Sequence, residues 1–310
     1  MNYQSFVEAQ IAEIRKEVAE ETAINALSGG VDSSVVTALG FRALGPRLKT
    51  VFIDSALMRE GEPDRVVKTF ANLGIPVQKV DARADFLKAL KGLTDPEEKR
   101  NAVTLTFYKT VFGRLVREIG AKSLLHGTIL TDIEETVAGI KRQHNILAQL
   151  GIDPEKEYGY RVLEPLKTLR KDGVREVAKV LGLPEEITHR IPFPGPALAT
   201  RIVGEVTEER LATVRAATAV VEEELGDTGA FQYLAVLLND RATGIQDGKR
   251  EFGQIIVVRC LNSVDARLAT PVDLPWEKLQ RICMRITSIK GVNRCLYDLT
   301  PKPPATIEYI

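Results

Sequence analysis

The chain has 310 residues, 44% of them hydrophobic and 27% charged, which is typical of a globular protein of about two domains. Its 42 basic and 42 acidic side chains balance, so charge gives no support to a nucleic-acid partner. No apolar run reaches the roughly 18 residues of a membrane span, and the N-terminus lacks a signal-peptide core. The three cysteines are widely spaced and odd in number. We therefore expect a cytoplasmic protein with no membrane partner and no disulfide or structural-metal framework.

Short apolar runs alternate with helical patterns from residue 22 to about residue 190, after an amphipathic N-terminal helix. The predicted strands are residues 22–27, 48–54, 76–80 and 123–126, and the predicted helices are residues 33–44, 62–73 and one ending near Ile119. This alternation predicts an α/β fold, a parallel twisted sheet with helices on both faces.

The stretch HRIPFPGPALATR, residues 189–201, interrupts this alternation. Three prolines and a glycine in close succession continue neither a helix nor a central strand, so we place a domain boundary here, between domains 1–190 and 191–310. Beyond it, the pattern predicts helices at 208–225 and 275–286 and strands at 231–238, 253–261 and 293–300. We expect a smaller α+β domain whose free sheet face is covered by a second copy, which makes the protein a homodimer.

The sequence 27-LSGGVDSSVV-36 follows the first predicted strand and opens a helix. Glycines there let backbone N–H groups approach an anion, and the serines and the helix N-terminus favour phosphate. The loop has no lysine, so it is not a Walker A loop. Because Asp32 would repel a phosphate, a cation must lie between them, most simply Mg²⁺.

SGGVDSS resembles the PP-loop of the N-type ATP pyrophosphatases, which cleave ATP between its α- and β-phosphates. The segments DPEEKR, HGTILTDIEE, EPLK, PFPGPALATRIVGEV and KPPATIEYI narrow the resemblance, over essentially the whole chain, to the ATP-pyrophosphatase and dimerisation domains of the GMP synthetase family. The resemblance implies that ATP and Mg²⁺ are used to adenylate XMP, which ammonia then aminates to give GMP, AMP and pyrophosphate. Because no glutaminase domain is present in the chain, it implies that the ammonia comes from a separate glutaminase subunit.

The resemblance also implies roles for individual residues. The expected ATP ligands are Ser28, Gly29, Gly30, Val31, Asp32, Ser33, Ser34, Asp54, Gly127 and Thr128, with Asp32 holding Mg²⁺. The expected catalytic residues are Asp132, Glu135 and Lys141, and the expected acceptor ligands are Arg201, Asp247, Lys302 and Glu308. Some of these have a simpler explanation: the two acids also suit the start of a solvated helix, and Asp54 also suits a turn at a strand end.

Departures from the family pattern lie mainly on the acceptor side. Ala197 replaces a glycine, which either crowds a ligand or excludes a positive φ; Gln143 replaces a histidine, and Asp247 and Gly248 are exchanged. Two alternative functions therefore stay open. The protein could be a paralogue that uses ATP to activate another nucleotide or purine-like acceptor, or a non-catalytic dimer that senses a nucleotide. Sulfur transfer is disfavoured because all three cysteines lie in the second predicted domain.

Overall fold

The computed structural model describes residues 1–137, 159–188, 190–246, 248–264 and 266–310. The chain forms two compact units. The first consists of Met1–Asp54, Pro63–Ala82 and Leu105–Arg190, and the second of Ser55–Glu62, Arg83–Thr104 and Ile191–Ile310. Two segments that precede the proline-rich stretch therefore belong to the second unit. No described helix is both long and apolar enough to cross a membrane.

The first unit is built on a parallel sheet of five strands in the order β3-β2-β1-β4-β5. Its strands are β1 (Ala23–Ala26), β2 (Leu48–Asp54), β3 (Val77–Asp81), β4 (Ser123–Leu125) and β5 (Arg161–Leu163). Its helices are α1 (Tyr3–Val18), α2 (Val31–Leu44), α6 (Gly113–Ile119), α7 (Leu130–Val137), α8 (Lys171–Val180) and α9 (Glu185–Thr188), and most of α3 (Glu62–Asn72). The sheet confirms the predicted α/β class, although the three-residue strand β5 was not predicted from the sequence.

The strand order places the candidate loop at a special position. From β1 the chain moves outward through β2 to β3, and then returns to the other side of β1 to form β4 and β5. Since parallel crossovers are right-handed, this reversal sends the helices to opposite faces and opens a crevice beyond the carboxyl ends of β1 and β4. The loop 27–30 leaves β1 at that crevice.

One element of the first unit departs from the regular helix that the sequence predicts before Ile119. Residues Thr106–Phe112 form a π-helix between α5 (Pro96–Leu105) and α6. A π-helix holds more residues in each turn than an α-helix and is common at functional sites. It begins one residue after the point where the chain returns to the first unit.

The second unit contains a long hairpin of β6 (Gln232–Gln246) and β7 (Lys249–Asn262). Short β8 (Thr270–Pro271) pairs with β7 antiparallel, and β9 (Val292–Tyr297) pairs with it in parallel. The other elements are α4 (Arg83–Leu90), α5, α10 (Glu208–Leu225), α11 (Trp276–Thr287) and a 3₁₀ turn at Ala197–Arg201. The hairpin strands are longer than predicted because polar residues extend both arms beyond the buried apolar runs.

Basic side chains explain why the two early segments belong to the second unit. The Lys99 ammonium in α5 is fully buried and donates to the carbonyls of Ala199, Ile202 and Gly204, at 3.3, 2.6 and 3.0 Å. Burial lowers the pKa of Lys99 to about 8. In α10, Arg215 donates to the carbonyls of Ala56 and Met58 in the same way. These contacts join segments before residue 105 to segments after residue 190. A single boundary between residues 190 and 191 therefore does not separate the two compact units.

Candidate nucleotide site

The loop after β1 is shaped by its own serines. Ser33 Oγ accepts from the Ser28 backbone N–H at 3.2 Å, lies 2.9 Å from Ser28 Oγ and donates to the Gly30 carbonyl at 3.0 Å. Gly30 is the N-cap of α2 and has no side chain with which to cap it. The first N–H groups of α2 therefore lack a side-chain cap and suit an anion. Both serines, expected as phosphate ligands, also fix the turn.

Two glycines of the site lie close to neighbouring elements, and the backbone conformation of Gly29 favours glycine. Gly29 has φ +78°, and a Cβ built on it would lie 2.5 Å from Arg190 Nη1 and 2.8 Å from Val66 Cγ2. A Cβ on Gly127 would lie 3.4 Å from backbone atoms of Asp32 and Ser33. The turn after β4 thus packs directly on the start of α2, and an arginine that the sequence did not predict lies against the loop.

The two carboxylate oxygens of Asp32 lie in different surroundings. Oδ2 accepts from the Lys171 ammonium at 2.6 Å, whereas Oδ1 is buried and has no hydrogen-bond partner. Lys171 opens α8 and was not predicted, because 139 residues separate it from Asp32 and no local pattern joins them. An unpaired buried carboxylate oxygen beside the uncapped start of α2 fits a Mg²⁺ ligand, since Mg²⁺ is typically held by one or two carboxylates together with substrate phosphates.

A cavity of about 250 Å³ opens at the loop. Ser28, Gly30, Asp32 and Ser33 line it, together with Phe107, Tyr108 and Phe112 of the π-helix. The rings of Phe107 and Phe112 are parallel, with centroids 6.2 Å apart, and burial raises the pKa of Tyr108 to about 12. The cavity thus combines a polar end with an aromatic wall. The cluster TFYKTVF is the signal in the sequence that could have predicted this wall.

The turn after β4 contains a short chain of hydrogen bonds. His126 lines the cavity, and its Nδ1 lies 2.9 Å from Thr128 Oγ1. Thr128 is buried and its hydroxyl donates to Glu164 Oε1 at 2.6 Å. Burial lowers the pKa of His126, although the nearby Glu164 and Asp132 oppose this shift. The hydroxyl of Thr128, expected to contact ATP, is thus bonded within the protein.

Several other predicted residues have contacts of their own. Val31 and Ser34 are buried in the first turn of α2, and the hydroxyl of Ser34 has no hydrogen-bond partner. Asp54 ends β2, where its carbonyl accepts from Ala82 N at 3.0 Å. Asp132 Oδ2 accepts from Ile129 N at 3.0 Å at the start of α7, so this carboxylate has the structural role at a helix start that the sequence also allowed.

The structure does not describe four other positions named in the sequence analysis: the Glu135 side chain, Lys141, Gln143 and Asp247.

In the second unit, two of the expected acceptor ligands are bound to each other. Arg201 is 1% exposed, and its guanidinium donates to both carboxylate oxygens of Glu308, at 3.0 and 3.2 Å. Gln232 also donates to Glu308, at 2.5 Å. Arg59 and Arg201 both contact the ring of Phe193, at 3.9 and 4.6 Å from its centroid. We call these five residues the arginine cluster. Arg59 and Phe193 were not predicted.

Two other acceptor-side predictions have different outcomes. The Lys302 ammonium donates to the carbonyl of Ala266 at 2.8 Å. Ala197 was expected to crowd a ligand or to exclude a positive φ, and the second expectation is wrong: its φ is +53°. The buried 3₁₀ turn holds this alanine in the left-handed region at a cost of about 1 kcal/mol. The backbone conformation that glycine favours is therefore present without glycine.

Known proteins resemble this chain over its whole length. Subunits of glutamine-hydrolyzing GMP synthase from Archaeoglobus fulgidus and Pyrococcus abyssi are 50% and 48% identical to it, each with 100% of both chains covered. The chain belongs to this family of GMP synthase subunits. Another member, from Methanocaldococcus jannaschii, is 46% identical with 98% of both chains covered.

Two family models match different parts of this chain. Residues 3–107 match the NAD synthase family, and residues 220–309 match the GMP synthase C terminal domain. A solved NH3-dependent NAD synthetase from Campylobacter jejuni matches 61% of this chain and 78% of its own, with 17% identity and a TM-score of 0.48. Membership in the GMP synthase family confirms the resemblance found in the sequence.

Proposed function

We propose that this chain is the synthetase subunit of a two-subunit GMP synthase, a ligase that forms a C–N bond. It uses ATP to adenylate XMP and then ammonia to displace AMP, giving GMP and pyrophosphate. The observation that carries the site assignment is Asp32: its Oδ1 is buried and unpaired next to the uncapped start of α2. A structural turn has no need of such an oxygen, whereas a site for a metal-bound polyphosphate does.

The loop 28–34 would bind the departing pyrophosphate. Its backbone N–H groups and the N-terminus of α2 supply partial positive charge, and the hydroxyls of Ser28 and Ser33 can turn from each other to phosphate oxygens. Lys171 and Arg190 bring two cations to a loop that has none. Charge on the leaving group is thereby neutralised by groups already in place, which lowers the barrier to its departure.

Asp32 would hold the Mg²⁺ ion that accompanies ATP, because its unpaired Oδ1 is the oxygen left for a cation. When bound, Mg²⁺ would supply positive charge that offsets the charge of the phosphates. Lys171 keeps the other oxygen of Asp32 in place. The aromatic wall of Phe107, Tyr108 and Phe112 would exclude water from the nucleoside end of the site. Asp132, Glu135 and Lys141 remain the proposed catalytic side chains around the adenylate.

The arginine cluster would bind the phosphate or base of the acceptor. A buried guanidinium that holds a carboxylate through two hydrogen bonds has the geometry that also suits phosphate. Glu308 would then leave Arg201 when XMP binds, or would accept from the purine base. Asp247 and Lys302 remain proposed acceptor ligands.

The subunit would work in the cytoplasm with a glutaminase that supplies ammonia, and as a homodimer. Large apolar side chains of the second unit support the dimer: Phe252, Trp276 and Met284 are 63, 71 and 64% exposed. Light scattering on the purified chain would report the mass, and a Phe252→Glu variant that leaves a dimeric mass unchanged would contradict this part of the proposal.

The decisive experiment measures pyrophosphate release from ATP with Mg²⁺ and ammonium in the presence of XMP, IMP, GMP, AMP or no acceptor. We expect release with XMP only, and GMP in equal amount. Release with another nucleotide would favour a paralogue with a different acceptor, and ATP binding without any release would favour a nucleotide sensor.

A further inference from the structure

The hydrogen bonds of His126, Thr128 and Glu164 settle which nitrogen of the imidazole carries hydrogen. A carboxylate oxygen only accepts, so at 2.6 Å the single hydrogen of the Thr128 hydroxyl is given to Glu164 Oε1. Thr128 Oγ1 can then only accept from His126 Nδ1, which lies 2.9 Å away. Nδ1 therefore carries the hydrogen, and in the neutral ring Nε2 is left with its lone pair.

The surroundings keep this ring neutral in the free protein. Burial lowers the pKa of His126 and outweighs the opposing effect of Glu164 and Asp132. Thr128 is 2% exposed, so water does not compete for the bond that fixes the ring. His126, which lines the cavity, is thus a neutral ring with one accepting nitrogen rather than a cation.

The cavity has the size and composition of a nucleoside site. Its volume is about 250 Å³, and the aromatic side chains of the π-helix form one wall while the loop after β1 forms another. A nucleoside offers hydrogen-bond donors that an imidazole lone pair can accept: the ribose hydroxyls, and the 6-amino group of adenine. Guanine has a carbonyl at the same position, which an acceptor repels.

We propose that His126 Nε2 accepts a hydrogen bond from the adenosine of bound ATP, and that Thr128 and Glu164 act as positioning residues by fixing the tautomer that makes this possible. The inference rests on the proposed use of ATP but not on XMP as acceptor. It assigns His126 to nucleotide selection, and it explains why a glutamate from the turn after β5 is bonded to the buried threonine that contacts the ring.

The binding test uses calorimetry with Mg²⁺ and no acceptor, so that it does not depend on turnover. The ligands are ATP, 2′-deoxyATP, 3′-deoxyATP and purine riboside triphosphate, which lacks the 6-amino group. We expect one of the three analogues to bind the wild type about tenfold more weakly than ATP, as for one lost hydrogen bond. The His126→Leu variant should bind ATP as weakly as the wild type binds that analogue. Its preference for ATP over the analogue should therefore vanish.

Two further variants separate positioning from packing. Thr128→Val removes the hydroxyl at nearly constant volume and should reduce the preference severalfold, whereas Thr128→Ser keeps the hydroxyl and should restore it. If His126→Leu keeps the wild-type preference over all three analogues, the side chain only fills space and the proposal is wrong. Failure of the chain to make GMP, with this preference intact, would contradict the proposed acceptor and leave the role of His126 standing.

Nitrogen NMR of ¹⁵N-histidine protein gives a readout that does not involve ligands. The chain has three histidines, so a His126→Gln spectrum assigns the signal. We expect a protonated Nδ1 and an unprotonated Nε2 for His126 in the wild type, and mixed tautomers in Thr128→Val. A wild-type signal with hydrogen on Nε2 would overturn the proposal.

Discussion

The loop at residues 28–34 of the first unit and the arginine cluster of the second differ in how their charges are satisfied. The loop has an open cavity, an uncapped helix start and a carboxylate oxygen without a partner. In the cluster, the guanidinium of Arg201 is already paired through two hydrogen bonds with Glu308. In the proposed roles, the first region would hold phosphate and cation together with groups that have no other partner. The second would either exchange its internal carboxylate for the ligand or use that carboxylate as a hydrogen-bond acceptor.

This difference predicts which region tolerates change. Removing the charge of Asp32 should leave the fold intact and abolish chemistry, because its Oδ1 has no partner within the protein. Lys99 supports the arginine cluster by binding carbonyls on either side of Arg201. Removing its ammonium leaves buried carbonyls unpaired, so we expect stability to fall before activity does.

Asp32→Asn should have the largest effect. The amide keeps the shape but loses the charge that would hold Mg²⁺ in the proposed site, so we expect pyrophosphate release to fall about 100-fold or more with little change in thermal stability. Activity is measured over a range of Mg²⁺ concentrations. The control is Asp64→Asn, which removes another aspartate paired with a lysine, on an exposed surface. Equal activity of the two variants would break the contrast.

Lys99→Met should be the most destabilising change in the second unit. It removes a buried ammonium and leaves three carbonyl oxygens without their donor. We expect the free energy of unfolding to fall by about 3 kcal/mol, with a higher KM for the acceptor in the folded fraction. Denaturant unfolding measures the first effect. The exposed Lys91→Met is the control, and a loss no greater than in that variant would show that the Lys99 contacts are unimportant.

Gly29→Ala should have a smaller effect on both stability and ATP binding. Its φ of +78° is unfavourable for alanine, and the new methyl group would displace Arg190 and Val66. We expect a loss of about 2 kcal/mol in unfolding free energy and weaker ATP binding. Gly92→Ala is a matched control, since Gly92 has φ +77° and open space at its Cβ. Calorimetry should show that Gly92→Ala binds ATP with the same affinity as the wild type.

Ala197→Gly should have the smallest effect. Glycine relieves about 1 kcal/mol of left-handed strain, which offsets its greater freedom in the unfolded chain. The unfolding free energy should therefore stay within about 1 kcal/mol of the wild type. Ala199→Gly in the same buried turn lacks this compensation and should cost more. If both variants are equally unstable, the strain at Ala197 is unimportant.

What the sequence determined by itself lies close together along the chain. Strands β1 to β4 and the start of α2 depend on apolar periodicity and on glycines within a few positions, and the phosphate site proposed at residues 28–34 rests on the same local pattern. The missing lysine in that loop was also visible. Local spacing conveys these features because the groups that form them are neighbours.

Tertiary structure alone decided the contacts between distant residues. Lys171 meets Asp32 across 139 positions, Lys99 holds a turn about 100 residues away, and Arg201 meets Glu308 near the C-terminus. The tautomer of His126 likewise depends on Glu164, 36 residues beyond Thr128. No pattern in the chain encodes these pairs, because each is fixed by the packing of elements and by the need of buried polar groups for a partner.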